Sequence, residues 1–225
     1  RVDECAPFEN VYTLALRGLH DRAMNASNNM NDRKEMLQEA LMAQRQMLVD
    51  AIGKRAEDIP QAFTPYKEVL DVYDQGLELP DDVTIIWPDD NYGYMKRLSS
   101  PKEQKRSGRS GVYYHSSYLG KPHDHLWMNT TSPTLMYEEL RKAYDMTADR
   151  IWLLNAGDIK SCEFAVDYFS VFCGYLLTKG FHLGNVLDDD TAGNCARPHG
   201  CQQLVKVIGQ CHVGPLIHDA VYRNG

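Results

Sequence analysis

Residues 83–93 read VTIIWPDDNYG, a short run of β-branched and aromatic side chains followed at once by two carboxylates. An apolar run of this length that ends at a turn signal is typical of a strand buried on both faces, as the strands of parallel sheets are. Asp89 and Asp90 come directly after the predicted strand Val83–Trp87. The stretch therefore predicts a parallel sheet with acidic chemistry at the carboxyl end of one of its strands.

Runs of the same kind recur along the chain. Further strands are predicted at Val11–Leu16, Ala62–Pro65, Gly111–His115 and Arg150–Leu154. Patterns with a helical period predict helices between the strands, at Asp32–Ile52, Lys67–Gln75, Thr134–Met146 and Ser161–Phe172. Asp32 and Glu35 have the spacing of a capping box, Gly53 is a stop signal, and Ser132 with Pro133 are start signals. Gln202–Ile208 is predicted to form one more short strand or helix.

The order of these elements indicates the fold class. Strands and helices that alternate with short loops form parallel sheets with right-handed crossovers, as in an open doubly wound sheet or a barrel. No glycine-rich phosphate loop follows any predicted strand, and polar residues stand at nearly every strand's carboxyl end, which favours the barrel. We predict an α/β fold, an incomplete (β/α) TIM-type barrel of about five βα units over residues 1–173. A divergent, irregular tail is predicted over residues 174–225.

Composition narrows the function classes. The chain has 225 residues, of which 43% are hydrophobic. This fraction is typical of a globular domain and too high for a disordered one. No apolar run is long enough to span a membrane, and a net charge of -7 argues against nucleic acid as a partner. The start at Arg1 has no initiator Met and no signal peptide, which predicts a processed chain or a piece of a longer one. Sequons at Asn25 and Asn129 favour a secreted protein, and the oligomeric state is left open.

The carboxylates that follow the strands are the candidate catalytic groups. In a barrel the carboxyl ends of all strands meet at one rim. Successive strand side chains point to opposite faces, so one of Asp89 and Asp90 is expected to face the pocket and the other to cap a helix or pair with a cation. A glycosidase uses one carboxylic acid and one carboxylate. The candidate catalytic residues are Asp89, Asp90, Asp21 and Asp158.

Three other carboxylates could be the catalytic partner of Asp89 or Asp90: Asp124, Glu138 and Glu139. Glu139 stands three residues before Lys142 on a predicted helix, which suits a surface ion pair, so Glu138 and Glu139 are interpreted as structural. Asp158 has a structural alternative too, as a helix N-cap.

Residues that could bind a sugar stand at the same strand ends. Histidines could hydrogen-bond hydroxyl groups, aromatic rings could stack on a pyranose, amides could orient the sugar, and cations could hold an anionic group. These candidates are His20, His115, His123, Trp87, Tyr92, Tyr118, Asn91, Asn155, Arg17 and Lys67. Each has a structural alternative, since Trp87 could be a core aromatic and a single Lys is usually a solvated surface charge.

The tail contains a group of cysteine and histidine residues. They are Cys195, His199, Cys201, Cys211 and His212. Their spacing matches no paired CxxC pattern, so we predict no metal site there.

Seven motifs together resemble one known family. They read RGLHD at 17–21, PYKEVL at 65–70, PDDVT at 80–84, WPDDNYGY at 87–94, GVYYH at 111–115, GKPHD at 120–124 and DRIWLLNAGDIK at 149–160. In this order, over about residues 10–170, they resemble glycoside hydrolase family 115, the xylan α-1,2-glucuronidases. The resemblance implies a barrel catalytic domain that removes glucuronic acid, or its 4-O-methyl form, from glucuronoxylan. It also implies inversion of configuration and no cofactor.

The same resemblance leaves two alternatives open. The chain starts inside the family's catalytic region and stops resembling it after about Val171, so it is expected to be a truncated product or the result of a mispredicted gene end. Such a product could carry the site residues without activity and at most bind acidic xylan. A different barrel enzyme, such as a sugar isomerase or another glycosidase, is the remaining hypothesis, which rests on fold alone.

Overall fold

The structure is a computed structural model, and it describes residues 2, 8, 10–18, 23–24, 29–118, 129–157, 159–178 and 204–209. The chain forms two compact units. The first comprises residues 1–88 and 99–110, and the second comprises residues 89–98 and 111–225.

In the described residues, the first unit contains three parallel strands and two helices. The elements are β1 (Tyr12–Leu14), α1 (Met30–Ile52), β2 (Gln61–Phe63), α2 (Glu68–Asp74) and β3 (Thr84–Pro88), with short 3-10 turns at Ala56–Asp58 and Glu103–Lys105. β2 lies between β1 and β3, with Leu14 opposite Phe63 and Phe63 opposite Ile85. Leu37, Leu41 and Leu48 of α1 are buried, as their shared helical stripe predicts.

The start of α1 differs from its prediction. The N-cap is Asn29, whose side chain accepts a hydrogen bond from the Asn31 backbone N–H at 3.0 Å. Asp32 falls in the first turn instead, where a negative charge favours the helix dipole. The capping-box prediction was therefore wrong by one turn, because Asn caps a helix as well as Asp does. The predicted stop is confirmed: Gly53 adopts a left-handed conformation, with φ 71°, and its N–H donates to the Val49 carbonyl.

The second unit has the same alternation. It contains β4 (Ser110–His115) except its first residue, α3 (Pro133–Asp145), β5 (Ala148–Gly157), α4 (Glu163–Thr178) after a 3-10 turn at Ile159–Cys162, and β6 (Leu204–Gly209). β5 and β6 are parallel, and β4 lies on the other side of β5. The core contains Met136 and Leu140 of α3, Trp152 of β5 and Phe169 of α4. Ser132 caps α3 as predicted, since its Oγ accepts from the Leu135 N–H.

These elements confirm the α/β class and the five predicted strands, whose ends differ from the predictions by at most three residues. Gln202–Ile208, left open between strand and helix, contains most of β6. Closure into a barrel, the number of βα units and the boundary at residue 173 stay predictions. Of the helices in the described ranges, none combines the length and the apolar character that crossing a bilayer requires.

The approach of β4 to β5 gives a first test of the fold. A Cβ atom on Gly111 would lie 2.0 Å from the Ile151 backbone oxygen, which cannot move without breaking the strand pairing. We expect Gly111→Ala to lower the free energy of unfolding by about 3 kcal/mol, as overpacking against backbone does. Urea denaturation followed by circular dichroism measures this. Gly174→Ala is the control, because no atom lies within 4 Å of its Cβ position, and it should match or exceed wild-type stability.

Two buried thiols give a second test. Cys162 and Cys173 are free and fully buried, and burial raises the pKa of the Cys173 thiol well above its usual range. Only the thiolate reacts with iodoacetamide, so we expect the Cys173 peptide to stay unmodified at pH 8 in the folded protein and to react fully in urea. Peptide mass spectrometry measures both states. Rapid modification in the absence of urea would show that α4 does not pack as described.

Candidate active site

The Asp89 carboxylate is the centre of the candidate site. It follows β3 directly, and its side chain is completely buried. Oδ1 accepts from the Asn91 N–H at 3.0 Å and lies 2.6 Å from His115 Nδ1, while Oδ2 accepts from the Gly93 N–H at 3.1 Å and the His115 N–H at 2.9 Å. A carboxylate only accepts, so a proton on Nδ1 satisfies both groups. Each oxygen of Asp89 is thus engaged twice.

Asp90 has a different environment. Its Oδ1 accepts from the backbone N–H groups of Tyr92 at 2.9 Å and Tyr94 at 3.1 Å, and its own N–H donates to the Tyr94 carbonyl. Asp90 is half-buried, and within the described residues its Oδ2 makes no hydrogen bond. One of its oxygens is therefore structural, and the other is available to a substrate or water.

The turn that carries both carboxylates requires two left-handed residues. Asn91 has φ 74°, which asparagine tolerates better than most residues, and Gly93 has φ 93°. A Cβ at Gly93 would lie 2.8 Å from the Tyr114 hydroxyl oxygen and 2.9 Å from Thr131 Cγ2. The sequence NYG therefore lets the backbone fold around Asp89 and Asp90, so that the N–H groups that donate to both carboxylates are fixed.

Aromatic rings surround His115. Its ring is 4.6 Å from the Tyr113 ring and 5.7 Å from the Tyr118 ring, and Tyr118 is 6.0 Å from Tyr92, all between centroids. We call these four residues the aromatic cluster. His115 is buried, whereas the Tyr92 side chain is 45% exposed and could stack on a sugar.

Asn155, near the end of β5, contacts the aromatic cluster through Tyr113. Its Nδ2 donates to the Tyr113 hydroxyl oxygen at 2.8 Å, and its backbone oxygen accepts from Ser116 N at 2.9 Å and Ser116 Oγ at 3.1 Å. Asn155 is buried. The structure thus brings together Asp89, Asp90, Asn91, Tyr92, His115, Tyr118 and Asn155 of the predicted site within the second unit.

Two residues of this unit, Tyr114 and Glu139, stabilise the turn through hydrogen bonds to its backbone. The Tyr114 hydroxyl donates to the Gly93 carbonyl at 2.9 Å, and burial, with the nearby charges of Asp89 and Glu139, raises the pKa of Tyr114, so it stays a donor. Glu139 accepts from the Met95 N–H at 2.8 Å and from Lys142 Nζ at 2.7 Å. The predicted pair with Lys142 is confirmed, but its surface location was wrong: Glu139 is buried because the Met95 N–H needs an acceptor.

The first unit holds the predicted cations and Trp87. Arg17 forms a two-pronged ion pair with Glu68, both contacts at 3.1 Å, and the Arg17 and Lys67 charges lie 5.3 and 4.9 Å from the Tyr66 ring centroid. The role of both cations in holding an anionic group stays a prediction. Trp87 is fully buried and its Nε1–H donates to Ser99 Oγ at 2.9 Å, which is the packing of a core aromatic.

The remaining predicted site residues lie outside the described residues. They are His20, Asp21, His123 and Asp158, with Asp124 and the cysteine and histidine group of the tail. Within the part of the chain that the structure describes, no three His, Cys, Asp or Glu side chains are close enough to hold a metal ion. Tyr113 is the site residue that the sequence analysis missed. It stands two positions before His115 on β4, and this spacing places two strand side chains on one face.

Parallel strands alternating with helices, with carboxylates and aromatic rings after the strands, are features of the glycoside hydrolase class. The family model described as glycosyl hydrolase family 115 matches residues 1–175. This chain belongs to glycosyl hydrolase family 115, which confirms the resemblance carried by the motifs.

A solved structure agrees with this membership. It is described as a novel family GH115 4-O-methyl-α-glucuronidase with specificity for decorated arabinogalactans. It is 42% identical to this chain with a TM-score of 0.73, and the match covers 82% of this chain and 24% of the solved one. This chain therefore spans about a quarter of the length of that relative. Among curated proteins, none matches the chain.

Proposed function

We propose that this chain hydrolyses the bond that joins glucuronic acid, or its 4-O-methyl form, to glucuronoxylan, with inversion of configuration. The observation that carries the proposal is the Asp89–His115 pair at 2.6 Å with Asp90 beside it, in a member of family 115. A buried pair of this kind fixes an imidazole in one tautomer. The proposal uses no metal and no organic cofactor.

The four candidate carboxylates divide into two kinds of role. Both oxygens of Asp89 are occupied by N–H groups, so Asp89 acts by holding His115 and the turn and does not transfer a proton to the sugar. Asp90 has one available oxygen, so it serves as the acid or the base of the reaction. Inversion requires a second carboxyl group roughly 6.5–9.5 Å away, with a water between the two. We assign this group to Asp158, which follows β5 in the same unit, and Asp21 stays the alternative.

Substrate binding is proposed for the exposed side of the aromatic cluster. Tyr92 and Tyr118 provide ring faces and edges for a pyranose, and His115 with Asn155 orients the hydroxyl groups. The Asn91 backbone N–H donates to Asp89, so the backbone of Asn91 has a fixed position in the turn. Because the substrate is an extended polysaccharide, secretion is part of the proposal.

The direct test is an assay of the purified chain on three polysaccharides. Glucuronoxylan is the expected substrate, decorated arabinogalactan is the alternative suggested by the solved relative, and unsubstituted xylan is the control. Anion-exchange chromatography measures the released uronic acid. We expect release from glucuronoxylan and none from the control. Release from arabinogalactan alone would assign the chain to that substrate, and no release by the folded chain would contradict hydrolysis.

Binding without turnover is the second candidate function. The Asp89–His115 pair and the aromatic cluster lie in one compact unit, so recognition of an acidic sugar does not depend on the second carboxyl group. Calorimetric titration with an aldouronic acid, and with the matching neutral xylo-oligosaccharide as control, tests it. A heat of binding with the acidic ligand but not with the neutral one would support this function. No heat of binding with folded protein would contradict it.

A further inference from the structure

We infer that Tyr113 is a positioning residue of the site, which sets the plane of the His115 imidazole by joining it to Asn155. This inference rests on the role of His115 in the proposed function. The two rings belong to neighbouring positions on one face of β4, with centroids 4.6 Å apart and planes inclined by 59°. Tyr113 therefore covers one side of the imidazole.

The far end of Tyr113 is fixed by an amide whose own orientation is set. Asn155 Oδ1 accepts from the Gly157 N–H at 3.4 Å, so Nδ2 is the atom that faces the phenol, and it donates to the Tyr113 oxygen at 2.8 Å. The backbone oxygen of Asn155 holds Ser116 through two hydrogen bonds, which fixes the ends of β4 and β5 relative to each other. The phenol ring therefore cannot turn away without losing an acceptor for a buried amide.

The imidazole needs this additional restraint. Its hydrogen bond to Asp89 fixes the position of Nδ1 but leaves the ring free to tilt about the line that joins the two atoms. The Tyr113 ring on one side and the Tyr118 ring edge-on at 85° remove that freedom. These three contacts together set the direction in which Nε2 points.

Two substitutions separate the ring of Tyr113 from its hydroxyl. Tyr113→Phe keeps the ring contact and removes the acceptor of Asn155, whereas Tyr113→Leu removes both. The readout is the proton NMR signal of His115 Nδ1–H, which the 2.6 Å contact to a carboxylate moves far downfield, and which is assigned by its loss in His115→Gln. Tyr137→Phe is the matched control, because Tyr137 packs on Phe172 in the same unit.

We expect the signal to shift in Tyr113→Phe and to broaden or vanish in Tyr113→Leu. The kcat/KM for uronic acid release should fall about tenfold and about 100-fold respectively, while Tyr137→Phe changes neither quantity. A role in packing alone would lower Tm but leave the signal in place in folded Tyr113→Phe, which keeps the aromatic ring next to His115.

The outcomes distinguish this inference from the proposed function. A shifted signal in both Tyr113 variants of a chain that releases no uronic acid would retain the positioning role and reject the hydrolysis. An unchanged signal in Tyr113→Phe, with release within twofold of wild type, would overturn the inference. If Tyr113→Leu does not fold, Tyr113→Phe decides alone, and an unchanged signal with unchanged release overturns it.

Discussion

An Asp89→Asn variant is expected to lose about 3 kcal/mol of unfolding free energy and all measurable turnover. The Asp89 carboxylate is fully buried and accepts four N–H groups, from Asn91, Gly93 and twice from His115. Asparagine has one acceptor oxygen, and its NH2 group would face N–H donors. At least two buried donors then lose their acceptor, and each such loss costs about 1–3 kcal/mol.

Urea denaturation measures the change for Asp89→Asn. The matched control is Asp145→Asn, since Asp145 lies in the same unit and pairs with Arg141 on the exposed surface of α3. A surface pair of this kind contributes less than about 1 kcal/mol, so the control should unfold almost as wild type does. If the two variants were equally stable, Asp89 would not organise the turn, and the role assigned to it would be wrong.

Asp90→Asn is expected to keep the fold and to slow uronic acid release about 1,000-fold. The asparagine oxygen can still accept the Tyr92 and Tyr94 N–H groups, so the turn survives and stability changes by about 1 kcal/mol or less. The available oxygen becomes an NH2 group, which can neither donate a proton to the leaving oxygen nor activate water. Loss of turnover with unchanged calorimetric affinity would assign Asp90 to the chemistry.

The role of Asp90 is tested by comparing the kcat values of Asp90→Asn and Asp145→Asn on one aldouronic substrate. The control should keep wild-type kcat, because Asp145 is a surface residue of α3. Near-normal turnover of Asp90→Asn would contradict the role of Asp90 and leave Asp158 and Asp21 as the acid and base candidates.

Much of the fold could be predicted from local sequence. Short apolar runs mark the strands because parallel strands are buried on both faces, and Ser132 and Gly53 mark helix ends because few residues satisfy those backbone groups. The start of α1 was missed by one turn, because Asn29, like Asp32, can cap a helix and the sequence does not say which one does.

The candidate site could be predicted less completely. Strand alternation predicted that Asp89 and Asp90 point apart, one to the pocket and one to a cap, yet both accept turn N–H groups, because Asn91 and Gly93 fold the backbone around them. The burial of Glu139 depends on a contact with Met95, 44 residues away, and no local pattern records such a contact. Tyr113 could have been predicted as a site residue, since it stands two positions before His115 on a predicted strand.

The central claim is that this member of family 115 hydrolyses an α-linked uronic acid with inversion. One measurement tests it most directly: proton NMR of glucuronoxylan during the first minutes after the folded chain is added, before the released sugar equilibrates its anomers. We expect the β-anomer of the free uronic acid to appear first. The α-anomer appearing first would contradict inversion, and no free uronic acid at all would contradict the proposed activity.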